Sequence, residues 1–215
     1  MQPFYISQSY VCNMMSEREI IRGCVEGNRN AQAALYGAYN AVVRGICLRY
    51  TGNKNDAEDL VHDSLIKAIM AMKQYTGKGP FEAWLKRIAM NTCISFIKER
   101  NKTGRMMVVD ENLGVADDDE TKDENRGLLE RCLDEGIGRD ELLLAISQLP
   151  DGYRMVLNMY VIDELPHHEI ARQLGISVST SKSQLSRARN LLKKNLMALL
   201  PQYELNISAH GNEYE

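Results

Sequence analysis

Apolar residues recur at intervals of three and four along almost the whole of this 215-residue chain. That spacing places them on one face of an α-helix. Alternation of the kind that marks a β-strand never extends beyond a few residues, and glycine and proline fall between the periodic segments. The length suits one large or two small domains. We therefore expect an all-α protein built from helices of moderate length.

The first half of the chain carries four predicted helices. Ser16 and Glu19 have the spacing of a capping box, which predicts a helix start at this point. The next helices are predicted over about 31–50, from Asn55 or Asp56 to about Met72, and over about 81–100. A glycine-containing loop, residues 74–80, precedes the last of them, and Pro80 suits a first helical position.

The second half predicts a helix-turn-helix. Helices are expected over about 142–149 and 153–161, followed by a short helix over 167–174 and a long one over about 178–199. Gly175 lies in the turn between the last two, where a left-handed backbone excludes most side chains. Ala171 is small enough for the two helices to cross closely. This order of elements is typical of a DNA-binding motif.

The charge distribution favours a nucleic-acid partner although the net charge is −3. Residues 1–100 carry 13 Lys/Arg against 9 Asp/Glu, net +4, and residues 139–200 carry 8 against 6, net +2. Residues 101–138, with 5 against 11, are net −6 and have weak periodicity, which predicts a linker. Basic segments attract phosphate, while an acidic one faces solvent or a basic surface.

Three segments carry candidate functional residues. The long C-terminal helix opens with hydroxyl residues and then becomes basic, which favours phosphate and base contacts. Acids at the start of the third helix suit either the helix dipole, with Asn55 and Glu58 as a capping box, or a docking surface that includes Asp63. The basic, partly aromatic helix after the loop suits either a grip on single-stranded nucleic acid or a solvated face over a core Trp84.

Several other classes of protein find no support in the residues. The five cysteines are far apart and the four histidines form no cluster, so we expect structural thiols and no metal site. Phosphate loops, nucleophile elbows and zinc-protease motifs do not occur. We therefore expect neither a cofactor nor catalytic residues. No apolar run is long enough to span a bilayer and residues 1–15 lack an export signal, so we expect a cytoplasmic protein.

Short motifs in a fixed order lead to a family. They are the acidic run Asp56–Asp63, the loop Tyr75–Gly79, the segment Trp84–Asn91, and in the second half Leu149-Pro150, Tyr153-Arg154, Glu169–Ala171, Leu174–Ser177 and Leu185–Arg189. In order and spacing they resemble the sigma-70 family of RNA polymerase initiation factors, in its compact extracytoplasmic-function type. The resemblance covers about residues 16–105 and 139–200.

This resemblance implies an all-α fold of two small helical domains. A sigma-2-like helical bundle over 16–105 would bind core polymerase and the minus-ten element. A sigma-4-like helix-turn-helix domain over 139–200 would bind the minus-thirty-five element. An acidic linker over 106–138 would join them, and the tails 1–15 and 201–215 match nothing. The unmatched N-terminal tail also predicts that translation starts at Met14 or Met15.

The resemblance also implies site residues and partners. Docking on the beta-prime clamp of core RNA polymerase is expected of Asp56, Glu58, Asp59 and Asp63. Binding of the melted minus-ten strand is expected of Tyr75, Lys78, Trp84, Arg87, Asn91, Lys98 and Arg100. Binding of minus-thirty-five promoter DNA, beside the polymerase beta flap, is expected of Ser177, Ser179, Thr180, Ser181, Lys182, Ser183, Ser186, Arg187 and Arg189. Family members are commonly held by a membrane-linked anti-sigma factor, which these residues do not identify.

Three residues depart from the family pattern. Ser181 replaces a buried aliphatic side chain, a loss of about 1 kcal/mol of packing. Gln184 replaces an arginine, which removes a phosphate contact, and His62 replaces a glutamine.

Two other functions remain as alternatives to a sigma factor. A stand-alone helix-turn-helix regulator of duplex DNA would need a ligand or dimerisation domain, and a helical enzyme would need a paired acid–base constellation.

Overall fold

The structure is a computed structural model that describes residues 15–103 and 137–199. Within these two ranges it contains eight α-helices and no strand, which confirms the predicted all-α class. The predicted linker, except residues 137–138, and both predicted tails, except Met15, lie outside the described residues. None of the helices in the described ranges combines the length and apolar character needed to cross a membrane.

The helices have the following bounds. The first four are α1 Glu17–Val25, α2 Arg29–Thr51, α3 Lys54–Ala71 and α4 Phe81–Thr103. The next four are α5 Arg139–Ser147, α6 Asp151–Leu157, α7 His167–Leu174 and α8 Val178–Leu199. A 3₁₀ turn, Met72–Gln74, extends α3, and a π-helical turn, Asn158–Ile162, extends α6. The described residues divide into two compact units, the first comprising residues 15–48 and 53–95 and the second residues 49–52, 96–103 and 137–199.

Two helix starts test the capping predictions. The capping box at α1 is confirmed, because the Ser16 N–H donates to the Glu19 carboxylate at 2.7 Å and the Ser16 hydroxyl accepts from the Glu19 N–H at 3.4 Å. The capping box predicted at Asn55 is wrong. Helix α3 begins earlier, and the Asn53 side chain accepts from the N–H of Asn55 at 2.8 Å.

The core of the first unit lies among α1–α4. Leu35, Leu65 and Leu85 are almost completely buried, as the three-and-four spacing predicted. Gly23 allows α1 and α2 to approach closely, because a Cβ added there would lie 2.5 Å from the Ala31 Cβ. Pro80 lies just before α4 rather than inside it, and its carbonyl accepts from the Trp84 N–H at 3.3 Å.

In the second unit, a buried guanidinium caps main-chain carbonyls. Arg154 on α6 is 3% exposed, and its Nε donates to the Tyr50 carbonyl at 2.8 Å. Its other nitrogens donate to the carbonyls of Thr51 at 2.9 Å and Leu149 at 2.6 Å, and to the Asp151 carboxylate. Burial lowers the pKa of Arg154. These bonds satisfy carbonyls at the C-terminus of α2, which would otherwise lack partners.

The same unit contains the predicted helix-turn-helix, formed by α7, the turn and α8. Gly175 adopts φ +74° and ψ 33°, a left-handed conformation, and its N–H donates to the Ala171 carbonyl at 2.8 Å. Apolar side chains from both helices are buried together, among them Ile170, Leu185 and Leu192. The bounds of α7 and α8 agree with the sequence prediction to the residue.

Candidate nucleic-acid interface

Helix α8 presents one polar face to solvent. Ser179 and Lys182 are exposed, and Ser183 and Ser186 are half-exposed. Their spacing of three and four residues places all four side chains on one side of the helix. The face combines three hydroxyls with an ammonium group, which suits contacts to phosphates and base edges. Four of the nine residues predicted to bind minus-thirty-five DNA therefore form one surface.

The opposite side of α8 holds two residues that the sequence analysis assigned to DNA or to a lost DNA contact. Ser181 is 0% exposed and its hydroxyl lies 2.9 Å from Nδ1 of His167 on α7. Because this side packs against α7, a direct DNA contact from Ser181 does not fit the structure. Gln184 is 3% exposed, so this position does not face DNA either, and its amide oxygen has no hydrogen-bond partner among the described residues.

The N-terminal turn of α8 is capped by its own hydroxyls. The Ser177 hydroxyl accepts from the Thr180 N–H at 2.9 Å and lies 2.8 Å from the Thr180 hydroxyl. In this structure Ser177 and Thr180, both predicted to bind DNA, therefore stabilise the N-terminus of α8. Arg187 and Arg189 are half-exposed, and both interact with other groups of the protein.

Helix α3 presents an acidic face that continues into apolar residues. Asp59 and Asp63 are exposed and lie one turn apart, while Asp56 is half-exposed on the same side. Further along this side, Ile66 is 55% exposed and Met70 is 78% exposed. Exposed apolar side chains next to charged ones are typical of a protein-binding surface.

Two neighbouring side chains on α3 are already engaged within the first unit. Glu58, predicted to belong to the docking set, accepts a hydrogen bond of 2.6 Å from Arg44 of α2. His62 stacks on Tyr36 with ring centroids 5.6 Å apart. The dipole interpretation of the acids explains Asp56 in the first turn, but Asp59 and Asp63 lie beyond that turn and have solvent-exposed side chains.

The loop before α4 is fixed by aromatic packing. Tyr75 packs against Phe81 and Trp84 with centroid distances of 5.2 Å and 5.5 Å, and its hydroxyl donates to the Gly79 carbonyl at 2.5 Å. Lys78 lies exposed between these anchors. Trp84 is half-buried. One part of its ring therefore packs in the core, and another part is accessible to a nucleic-acid strand. The result is a rigid base under an exposed, basic loop tip.

Helix α4 carries the other residues predicted to bind the minus-ten strand. Arg87 and Asn91 are exposed and lie on the side of Trp84. Lys98 and Arg100 have partners inside the second unit, where Lys98 donates to the Gln173 carbonyl at 3.0 Å and Arg100 to the Asp151 carboxylate at 2.7 Å. Both side chains therefore already bond to protein groups in this structure.

Electrostatics distinguish two ionisable groups of α7. Hydrogen bonds from Arg172 and Gln173 lower the pKa of Glu169 to about 2, so that this carboxylate stays charged. Burial and the cations Lys182 and Arg189 lower the pKa of His167. Among the described residues, no group of three or more histidine, cysteine or acidic side chains is arranged to hold a metal ion.

Two helical units, one of them a helix-turn-helix with a polar exposed face, define a helical DNA-binding protein. Comparison with known families names it: the family described as sigma-70 region 2 matches residues 35–103, and sigma-70, region 4 matches residues 139–192. The chain belongs to the sigma-70 family of RNA polymerase sigma factors, of the extracytoplasmic-function type. Sigma factors in general are not enzymes.

Curated relatives match over most of their length. RNA polymerase sigma factor YlaC of Bacillus subtilis (strain 168) is 30% identical over 169 residues, which cover 79% of this chain and 94% of that protein. ECF RNA polymerase sigma factor SigW of the same organism is 26% identical over 195 residues, 86% of this chain and 99% of that protein. The ECF RNA polymerase sigma-E factor of Haemophilus influenzae is 25% identical over 199 residues, 88% of this chain and all of that protein.

Sequence reasoning missed two residues of these surfaces and one residue that lies behind them. Ile66 and Met70 lie beside the buried apolar face of α3. Their exposure depends on which side of α3 the other helices cover, and the sequence does not show this. The sequence identified His167 only as the first residue of a predicted helix and indicated no bonding partner for it. Its bond to Ser181 depends on how α7 crosses α8, which no local pattern encodes.

Proposed function

We propose that this chain is the dissociable sigma subunit that binds core RNA polymerase and directs it to promoters through both of its helical units. The single observation that carries the proposal is the exposed acidic face of α3, where Asp59 and Asp63 form no ion pair with any described residue, in a chain that also has a helix-turn-helix. A stand-alone DNA-binding regulator has no need of such a face. The proposal places the protein in the cytoplasm, where transcription occurs.

Docking on the beta-prime clamp is the first proposed step. The exposed carboxylates of Asp59 and Asp63 supply the charge, and the exposed side chains of Ile66 and Met70 supply apolar area that becomes buried on contact. Charge complementarity then sets the orientation and the rate of association. Glu58 contributes less directly, because its carboxylate is held by Arg44.

Promoter opening is the second proposed step and belongs to the first unit. The loop tip at Lys78 and the exposed groups of Arg87 and Asn91 would track the phosphates and bases of the non-template strand. The packed rings of Tyr75 and Trp84 hold the loop, so little ordering entropy is lost on binding. A base that leaves the DNA stack would bind at this loop through stacking and hydrogen bonds to its edge.

Recognition of the minus-thirty-five element is the third proposed step. The α8 face of Ser179, Lys182, Ser183 and Ser186 would enter the major groove, and the same helix would lie near the polymerase flap. No covalent chemistry is assigned to this chain, because nucleotide addition belongs to the core enzyme. An anti-sigma factor that covers these faces would keep the protein inactive, as the family commonly requires.

The first test is complex formation with core polymerase. The Asp59→Asn/Asp63→Asn double variant is expected to bind core polymerase more weakly in a pull-down, because it removes two charges from the proposed face. Glu26→Gln, which neutralises an exposed acid at the end of α1, is the matched control and should bind normally. Failure of the wild-type chain to form a stoichiometric complex would refute the proposal and favour the stand-alone regulator.

Run-off transcription tests promoter recognition. The full chain and core polymerase, mixed with genomic DNA fragments, should yield discrete transcripts that neither component produces alone. Lys182→Ala should reduce these transcripts, because Lys182 is exposed on the proposed DNA face, whereas Lys194→Ala, an exposed lysine near the end of α8, should reduce them less. Equal loss from both variants would contradict the assigned face.

A further inference from the structure

The interface between α7 and α8 contains a polar pair. His167 begins α7, and its Nδ1 lies 2.9 Å from the Ser181 hydroxyl on α8. Ser181 is completely buried, so its hydroxyl has no access to water. A buried hydroxyl that loses its partner costs more than the bond contributes. The pair therefore prefers one register and one rotation of α8 against α7.

The histidine ring itself is held from the other side. Tyr160, in the π-helical turn, stacks on His167 with ring centroids 4.3 Å apart and planes 21° apart. The imidazole thus lies between an aromatic ring of one element and a hydroxyl of another. A ring fixed in this way has one orientation in which Nδ1 meets Ser181, which makes the contact specific rather than incidental.

The pair connects directly to the proposed DNA face. Ser181 precedes Lys182 and follows Thr180, so a rotation of α8 that breaks the bond also turns Ser179 and Lys182. Base readout in the major groove depends on side chains placed to within a fraction of a bond length. A change at the buried pair is therefore expected to appear as altered readout on the exposed side.

The charge on the imidazole affects the same contact. The charged side chains that act on the pKa of His167 are Lys182 and Arg189 of α8, both cationic, and together with burial they lower it. The element on the other side contributes the uncharged ring of Tyr160, and the nearest ionisable neighbours on α7 are His168 and Glu169. A proton added to His167 would place a third positive charge beside two others.

We propose that His167 is a positioning residue for the recognition helix: its neutral imidazole, bonded to Ser181, sets the rotation of α8, and protonation of His167 weakens discrimination of the minus-thirty-five element. This inference rests on the proposed function, since it needs a promoter with such an element. It assigns a role to a residue that makes no direct DNA contact in the proposal and lies behind the DNA-facing side.

The test uses the complete chain with core polymerase and a promoter found by run-off transcription. The measured quantity is the ratio of affinities for that promoter and for the same promoter with its minus-thirty-five element replaced. A ratio cancels effects of pH that are common to both DNAs. Replacement of the minus-ten element gives an internal control ratio, which a change confined to α7 and α8 should not alter.

The single variants Ser181→Ala and His167→Phe are each expected to lower the minus-thirty-five ratio about fivefold to tenfold, because each leaves one partner without its bond. The double variant His167→Phe/Ser181→Ala should lower the ratio no further than either single variant, because each single variant has already lost the bond. A merely structural loss would instead add up across the two changes and would also lower the minus-ten ratio. Additive losses, or equal losses at both elements, overturn the inference.

The pH profile is the second arm. The wild-type minus-thirty-five ratio is expected to fall by a similar factor as the pH drops from about 8 to well below about 6.5, the ordinary pKa of histidine, because burial and the nearby cations lower the pKa of His167. The double variant should be independent of pH, and His168→Gln, which changes the exposed neighbouring histidine, should keep the wild-type profile. A profile that persists without His167 overturns the inference.

Two outcomes separate this inference from the proposed function. If wild-type holoenzyme shows no minus-thirty-five discrimination at about pH 8, both fail. If it discriminates but does so equally in every variant and at every pH, only the role of His167 fails. Should the single variants not fold, the wild-type chain still decides: the imidazole resonance of His167 in the full chain must titrate over the same pH range as the ratio.

Discussion

Replacement of Gly175 by alanine is expected to destabilise the helix-turn-helix by about 1–2 kcal/mol. The reason is purely conformational. The residue has φ +74° and ψ 33°, where a Cβ approaches the following carbonyl. A Cβ added at this position would meet no other heavy atom within 4 Å, so no packing term adds to the cost.

Gly79→Ala provides a matched control. A Cβ there also meets nothing within 4 Å, and the backbone of Gly79 lies outside the left-handed region. This variant should be neutral or more stable than wild type by about 0.4–1 kcal/mol, because alanine lowers the entropy of the unfolded chain. Urea unfolding of both variants, followed by far-ultraviolet circular dichroism, gives the two free energies.

Asparagine adopts the left-handed conformation more readily than alanine does. Gly175→Asn should therefore lie between wild type and Gly175→Ala in stability, with an unchanged dependence on urea concentration. The reasoning is refuted if Gly175→Ala and Gly79→Ala shift the midpoint equally, or if asparagine costs as much as alanine. Either result would mean that the turn relaxes away from its left-handed backbone.

Arg154→Met should cost about 3–5 kcal/mol in urea unfolding, because it leaves the carboxylate and carbonyls around the guanidinium without their buried partner. Gly23→Ala should cost about 1–3 kcal/mol, since its Cβ would overlap that of Ala31. Ser16→Ala should cost about 1 kcal/mol at neutral pH. The Ser16 N–H and the Ser16 hydroxyl both donate to the Glu19 carboxylate and lower its pKa, and Ser16→Ala removes only the hydroxyl bond. The difference in stability between Ser16→Ala and wild type should therefore narrow as the pH falls below about 4.3.

The positions of the helices were predictable because burial dictates them. Leu60 and Leu65 of α3, and Leu85 of α4, recur at helical spacing and are buried for that reason. The turn at Gly175 was predictable because glycine adopts the left-handed backbone conformation that a tight turn between two helices requires. Local chemistry of this kind acts within one helix or one turn, so the sequence alone contains the information.

Contacts between distant residues were not predictable in the same way. Arg154 belongs to a recognised motif, yet its acceptors include the carbonyls of Tyr50 and Thr51, about a hundred residues earlier. Asn53 and Asn55 are equally good caps by residue type, and the choice depends on where α2 ends. Ser181 was expected in a buried position and among the DNA ligands, and only the fold decides between the two.

The buried polar residues of α8 have a cost that the rest of the helix offsets. Ser181 replaces apolar area where α8 packs against α7, and the amide oxygen of the buried Gln184 has no hydrogen-bond partner among the described residues. Leu192 and Leu196, also buried, lie further along the same helix and retain its packing. Apolar packing is non-directional and tolerates small rotations, whereas a hydrogen bond does not. The leucines therefore anchor α8, and the bond between Ser181 and His167 sets the angle at which its outer face meets DNA.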